Sequence, residues 1–382
     1  MRICLVYDCI YPHTIGGAER WYRNLGERLA EAGHEVTYIT RRQWPKGTDA
    51  GVPGVRVVPV TGEMSLYAPG GRRKILPPVV FGLGVFWHLL RHGRDYDIVH
   101  TAAFPYFSVI AAAAARRVHG FSLFVDWHEV WTRDYWNEYL GRTKGFVGWA
   151  IQKLCLKIRQ RAFCFARMTA ERCREEGMRD PVTVLSGLYT GSHTRSEVRP
   201  SVPLVMFAGR HIPEKRVPDI VPAIVRARRE LPDLRCVIFG DGPERERVEE
   251  LVAAHGLEDV IELPGFVDGE RIDETMSRAL CMMLPSRREG YGMVVVEAAS
   301  WGTPSVVVAD PDNAATELVD DRENGIVAAS TSADDLASAI LEIHGAGMDL
   351  RESTAAWFQR NAPRVALSRS VEQVAEIYAR RR

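Results

Sequence analysis

Short apolar runs alternate with longer amphipathic stretches along most of the chain, a pattern that predicts parallel α/β sheets. In the first half, strands are expected at Ile3–Tyr7, Val36–Thr40, Val55–Val60, Ile98–Thr101, Leu123–Val125, Met168–Ala170 and Val182–Leu185. A helix over Ala18–Ala32 ends at Gly33, a residue suited to a helix C-terminus. A second series places strands at Leu204–Ala208, Cys236–Phe239, Val260–Leu263, Leu280–Leu284 and Ser305–Val308, with helices over 215–230 and 243–255. Between the two series, Gly187–Val202 is rich in Ser, Thr, Gly and Arg and reads as a linker. Near the end, Val371, Val374, Ala375 and Tyr378 have helical spacing, which predicts a helix over Ser368–Arg382.

A chain of 382 residues accommodates two domains of ordinary size. Hydrophobic residues make up 46% and charged residues 26%, as in a soluble globular protein. The seven cysteines are scattered without zinc-ligand spacing, so reduced thiols and a cytoplasmic location are expected. Ile3-Cys4-Leu5-Val6 reads as a strand rather than a signal peptide, and the longest apolar run, Val79–Leu90, is too short to span a bilayer.

The formal net charge of zero conceals an asymmetry. Residues 1–200 hold 28 Lys and Arg against 18 Asp and Glu; residues 201–382 hold 21 against 31. The stretch Tyr139–Ala170 has no acid and interleaves Lys and Arg with Phe146 and Trp149. Two readings stay open for it. One is peripheral contact with an anionic membrane on its inner face; the other is a helix packed on its own domain with its cations in water. No feature calls for nucleic acid.

The candidate chemistry centres on Glu289-Gly-Tyr-Gly-Met-Val-Val-Val-Glu297, where seven residues separate two carboxylates. The expected order is strand, glycine-rich turn, helix. Gly290 and Gly292 would let backbone approach a ligand, and the helix beginning near Tyr291-Gly292-Met293 would offer unpaired N–H groups to a phosphate. Glu289 would sit in the loop and Glu297 more than a turn into the helix. A sugar nucleotide suits that arrangement, with phosphate at the helix end and one acid for each sugar.

Other segments contribute further groups. Gly16-Gly17, between the first strand and first helix, can bring backbone N–H groups to an anion. Gly209-Arg210 follows a strand, and Lys215 lies five positions beyond Arg210; two cations there could neutralise a leaving diphosphate. Phe239-Gly240-Asp241-Gly242-Pro243 and Gly265-Phe266-Val267 end further strands. His128 follows the strand Leu123–Val125, with Asp126 just before it. The pairs Asp95-x-Asp97 and Asp310-x-Asp312 imitate a metal-binding motif but read as strand ends, and no metal or cofactor is expected.

Taken together and in this order, the motifs resemble those of retaining, nucleotide-sugar-dependent glycosyltransferases of the large family 4. The resemblance covers almost the whole chain. It implies the GT-B fold: two Rossmann-like α/β domains facing across a cleft. An acceptor domain would span 1–190, a donor domain 200–365, and a C-terminal helix, about 366–382, would cross back to the first domain. By the resemblance, Arg210 and Lys215 contact the diphosphate, Glu289 the transferred sugar, Glu297 the ribose, and His128 lies near the transferred sugar. Gly16 and Gly17 lie near the donor phosphates and acceptor, Gly209 and Gly240 at the donor site, and the backbone of Phe266 and Val267 against the base. Gly290, Tyr291, Gly292 and Met293 complete the donor turn. One departure stands out: where many family members have Gly-Gly-x-x-Glu, this chain has Asp310-Pro-Asp-Asn-Ala-Ala-Thr-Glu317.

The implied activity is retaining transfer of a hexosyl-type sugar from a UDP- or GDP-sugar to a hydroxyl of a glycan, lipid-linked or small-molecule acceptor. A nonhydrolysing nucleotide-sugar epimerase and an inactive nucleotide-sugar-binding scaffold are the alternatives.

Overall fold

The computed structural model describes residues 1–66, 74–191 and 198–380. Two compact units divide the chain: Met1–Leu188 together with Leu367–Arg382, and Tyr189–Ala366. Of the expected linker, residues 192–197 lie outside the described residues, as do the last two residues of the expected final helix.

In the first unit the strands are β1 (Arg2–Val6), β2 (Glu35–Arg41), β3 (Val55–Thr61), β4 (Ile98–Ala102), β5 (Ser122–Trp127), β6 (Arg161–Cys164) and β7 (Val182–Val184). All pair in parallel, in the order β3-β2-β1-β4-β5-β6-β7. The helices are α1 (Gly17–Glu31), α2 (Leu76–His92), α3 (Phe107–His119), α4 (Arg133–Leu140), α5 (Arg142–Lys157) and α6 (Arg167–Glu175). The expected strand Met168–Ala170 is the start of α6; the true strand, β6, comes just before it. Thr169, Ala170 and Cys173 face the core at helical spacing, so a short run of small and apolar residues imitated a strand.

Strand alternation assigns the two faces of this sheet. Leu123, Val125 and Trp127 of β5 join a core with Phe81, Val85 and Leu89 of α2, Val109 and Ala112 of α3, and Cys155 and Leu156 of α5. Phe124 and Asp126 face the other way, toward Trp21 of α1 and Tyr378 of α12 (Leu367–Ala379, the C-terminal helix of this unit). The Ser370 hydroxyl accepts from the Gly187 N–H, and the Arg161 guanidinium donates to the Ile377 and Arg380 carbonyls at the end of α12. A cation there satisfies carbonyls the helix itself leaves open.

In the second unit the strands are β8 (Leu204–Ala208), β9 (Arg235–Phe239), β10 (Ile261–Gly265), β11 (Cys281–Leu284), β12 (Arg288–Glu289), β13 (Ser305–Val308), β14 (Asp312–Asn313) and β15 (Gly325–Ala328). Six form a parallel sheet ordered β10-β9-β8-β11-β13-β15, and β12 pairs with β14. The helices are α7 (Ile220–Ala227), α8 (Arg245–Ala254), α9 (Gly269–Arg278), α10 (Met293–Ser300) and α11 (Ala333–Val365), the last broken at Gly347. Both sheets follow Rossmann strand order. Ligands in such sheets bind beyond the strand C-termini, where the order reverses: beside β1 and β4 in one unit, beside β8 and β11 in the other.

Candidate active site

The reversal point of the second sheet gathers the groups singled out in the sequence. The loop after β8 carries Gly209, Arg210 and Lys215; the segment after β11 carries Ser286 and, in β12, Glu289. Lys215 occupies a 3-10 turn, Pro213–Lys215, rather than the start of the following helix, which begins at Ile220 after a second such turn. Its ammonium forms an ion pair with Glu289 Oε1. The Ser286 hydroxyl donates to the same oxygen at 2.9 Å. Glu289 is buried, at 8% exposure, so this carboxylate is held by a cation and a hydroxyl instead of by bulk water. Arg210 is exposed on the same loop.

Glu289 lies in the two-residue strand β12, not in an open loop. β12 pairs with β14, which lies in the segment that departs from the family pattern: Arg288 aligns with Asp312 and Glu289 with Asn313. Asn313 is fully buried. Its amide NH2 donates to the Ser286 and Val308 carbonyls, at 3.1 and 2.9 Å, and its carbonyl oxygen accepts from the Ala315 N–H at 3.1 Å. One side chain thus ties the altered segment to the turn that positions Glu289. Sequence reading missed both Ser286 and Asn313 as site residues; each acts across the fold, on a partner its local sequence does not indicate.

The helix start is as expected. Gly292 caps α10 with φ at +94°, and a Cβ there would lie 2.6 Å from the Ala315 Cβ, so only glycine fits. Gly290 has no left-handed φ; the need for glycine falls on Gly292. Tyr291 is buried, Met293 opens the helix, and Glu297 lies just over one turn in, half-buried. Gly209 and Gly240 lie side by side: the Gly209 N–H donates to the Phe239 carbonyl at 3.3 Å, and a Cβ on Gly240 would strike the Gly209 carbonyl. Beyond β10, Phe266 is 68% exposed and Val267 packs against the core of this unit.

The remaining predicted residues belong to the first unit. Gly16 caps α1, which begins at Gly17, and the Glu19 carboxylate folds over Gly16. His128 follows β5, stacks on Phe165 at 4.7 Å, and its buried Nε2 has no hydrogen-bond partner among the described residues. Burial lowers its pKa, which favours a neutral ring that can accept or donate one hydrogen bond.

Asp126, two residues earlier, is fully buried and already committed: it accepts from Trp21 Nε1 at 2.7 Å and pairs with His100 Nε2 at 2.7 Å. His100 Nδ1 meets the Tyr378 hydroxyl at 2.5 Å. Burial alone would raise the Asp126 pKa, but His100, His128 and the Trp21 hydrogen bond together reverse this and the net shift is downward. Asp126 therefore joins α1, β4, β5 and α12 instead of facing a ligand.

Among the described residues no cluster of three or more His, Cys, Asp or Glu side chains is arranged to hold a metal ion. The Asp310 carboxylate accepts from the Asp312 N–H, and Asp97 accepts from the Arg2 N–H, so one carboxylate of each Asp-x-Asp is bonded to backbone.

Two family models match the chain. The glycosyl transferases group 1 model covers residues 192–355, and the glycosyl transferase 4-like domain model covers 16–187. The α-D-kanosaminyltransferase of Streptomyces kanamyceticus is 33% identical over 46% of this chain and 45% of its own length, so the match spans less than half of that relative. Among solved structures, a sucrose-phosphate synthase of Thermosynechococcus elongatus superposes with a TM-score of 0.80 at 20% identity, covering 99% of this chain and 98% of that one. Anabaena HepE, solved in complex with UDP, gives 0.76 at 16% identity over 99% and 100%. The group 1 motifs in one unit, the 4-like domain in the other and two Rossmann-like sheets place this chain in the group 1 glycosyltransferases of GT-B fold.

Proposed function

We propose that the chain is a retaining glycosyltransferase that moves a hexosyl-type sugar from a UDP- or GDP-sugar to an acceptor hydroxyl. The observation that carries this reading is the Lys215–Glu289 ion pair, braced by Ser286, at the reversal point of the second sheet. The second unit would bind the donor and the first the acceptor. Anabaena HepE, which has the same fold, was solved with UDP, and the kanosaminyltransferase is named for sugar transfer; both fit this assignment.

In transfer, the bond from the anomeric carbon to the diphosphate oxygen breaks, and its electron pair leaves with the diphosphate. The acceptor oxygen bonds to the same face of the anomeric carbon, and its proton passes to the departing phosphate. Negative charge therefore builds on the diphosphate. Arg210, Lys215 and the N-terminus of α10 would stabilise it; losing one such donor typically costs about 10²–10³ in rate.

The ion pair adds a physical step to this scheme. As donor binds, Lys215 turns from Glu289 toward the diphosphate, and the released Glu289 oxygen accepts from a sugar hydroxyl. Each charge exchanges one partner for another, so neither is left buried alone. Glu297 would hold the ribose, Phe266 and Val267 would line the base, and neutral His128 would face the transferred sugar. No metal enters the scheme.

Acceptors of three kinds fit: glycan, lipid-linked and small-molecule. The protein would work in the cytoplasm, and a lipid-linked acceptor would bring it to the inner membrane face. The test is incubation with a panel of UDP- and GDP-sugars and a cell-envelope lipid extract, followed by product mass, released nucleotide and the anomeric configuration of the product. Acceptor-dependent product with the donor's configuration supports the reading. Donor conversion without acceptor points to an epimerase, and binding without turnover to a scaffold.

A further inference from the structure

Helices that pack on a sheet ordinarily turn apolar residues inward and polar ones outward. The α2–α3–α5 side of the first unit departs from this. Eight of the eleven exposed large apolar residues among the described residues lie on these helices or immediately before α2. On α2, Leu76, Leu83 and Trp87 are 69%, 55% and 52% exposed and fall on one stripe. On α5, Phe146, Val147 and Leu154 are 48%, 52% and 54% exposed.

Charge is uneven along this side as well. No Asp or Glu occurs in α2, α3 or α5, whose exposed polar positions include Arg91, Arg117, Arg142, Lys144 and Lys157. On the opposite face, α1 and α12 mix Glu19, Glu27, Glu31, Glu372 and Glu376 with Arg20, Arg23, Arg28 and Arg369 and expose no large apolar side chain. The three acid-free helices pack into one core, and the Arg116 guanidinium of α3 donates to the Arg159 carbonyl just beyond α5; α4 and α6 border them in the same core and carry the acids of this side, Asp134, Glu138, Glu171 and Glu175.

We infer that the outer face of this layer docks on an anionic lipid bilayer, with Leu83 and Trp87 entering the interface and the surrounding Lys and Arg meeting lipid phosphates. Charge complementarity selects this occupant, because self-association through the face would set cations against cations. Arg91 lies over the Trp87 ring at 5.7 Å, which places a cation beside an aromatic ring suited to the headgroup region. No described helix is long and apolar enough to cross a membrane, so the contact is in-plane.

This surface keeps α5 from the stretch that charge counting singled out and adds α2 and α3. Of the cations in 139–170, Lys153 pairs with Glu176 at 3.4 Å and Arg161 is spent on the end of α12. The inference deepens the proposed function by naming the surface that would present a lipid-linked acceptor.

The experiment is vesicle flotation without donor or acceptor, so its outcome is independent of the transfer assay. The whole protein is mixed with phosphatidylcholine vesicles and with vesicles containing phosphatidylglycerol. Binding is expected to the anionic vesicles and not to the neutral ones, and to fall with added salt. The double variant Leu83→Gln, Trp87→Gln should lose about tenfold or more of that binding. Both residues are more than half exposed, so its melting temperature should match the parent's. Equal binding to both vesicle types, no binding, or an unaffected double variant would overturn the inference. So would light scattering that shows a lipid-free dimer dissociated by the same substitutions, which would assign the face to a second copy.

Discussion

Lys215 and Glu289, 74 positions apart, form an ion pair between the segments that follow the adjacent strands β8 and β11. In the free protein each neutralises the other, and in the proposed scheme donor binding rearranges the pair. The two cations should therefore respond differently to removal. Arg210→Ala should lower transfer by about 10²–10³ and change stability by no more than about 0.5 kcal/mol, because Arg210 is exposed. Lys215→Ala should lower transfer similarly and also lower the urea midpoint, because it leaves Glu289 buried without its cation. Steady-state rates alongside urea unfolding of both variants check this; rates within twofold of the parent in both would remove the diphosphate role.

Gly292→Ala should destabilise the second unit by about 2 kcal/mol or more. The substitution combines a left-handed φ with a collision against Ala315. The neighbouring Gly290→Ala should cost less, since Gly290 has no left-handed φ. Comparing the two urea midpoints tests whether the turn is constrained at one glycine or at both.

Stability should fall as the solution is acidified. The His128 pKa is lowered by burial, so below about 6.5 the unfolded chain binds the proton more readily and folding weakens. The Asp126 pKa is also lowered, because His100, His128 and the Trp21 hydrogen bond together outweigh burial, so its contribution is present above the unfolded carboxyl value and lost as pH falls through the folded value. Both signs agree. The melting temperature should drop steadily from pH 7 to pH 4 and beyond, and Asp126→Asn should flatten the most acidic part of the curve. A melting temperature that rises on acidification would contradict the assignment.

Transfer should persist in excess EDTA. In the proposed scheme Arg210, Lys215 and the α10 N-terminus supply the positive charge, while Asp310 and Asp97 accept from backbone N–H groups. Loss of activity in EDTA with rescue by Mg²⁺ or Mn²⁺ would require a metal site.

Much of this architecture was legible in the sequence because parallel strands buried on both faces read as unbroken apolar runs. Leu204–Ala208 and Ser305–Val308 emerge with the bounds they were given. β6 was missed because Arg161 opens it and its apolar part is only three residues long, while Met168–Ala170 nearby imitated a strand. Of the site, the sequence indicated the charged groups but not what fixes them. Ser286 and Asn313 act through contacts between segments, 27 positions apart in the case of the Asn313–Ser286 bond. The sequence left Asp126, two residues before His128, without an assigned role. Trp21 and His100, distant in sequence, claim its carboxylate.

The most direct test of the account is acceptor-dependent transfer by the parent and by Glu289→Gln, with calorimetric binding of the nucleoside diphosphate measured on the same samples. Glutamine keeps the shape of Glu289 but removes the charge that pairs with Lys215 and accepts from the sugar. The account predicts that transfer falls by at least about a hundredfold, while nucleoside diphosphate binding is kept or strengthened because Lys215 is released to the phosphates. Parental transfer rates in Glu289→Gln, or loss of nucleotide binding together with transfer, would contradict it.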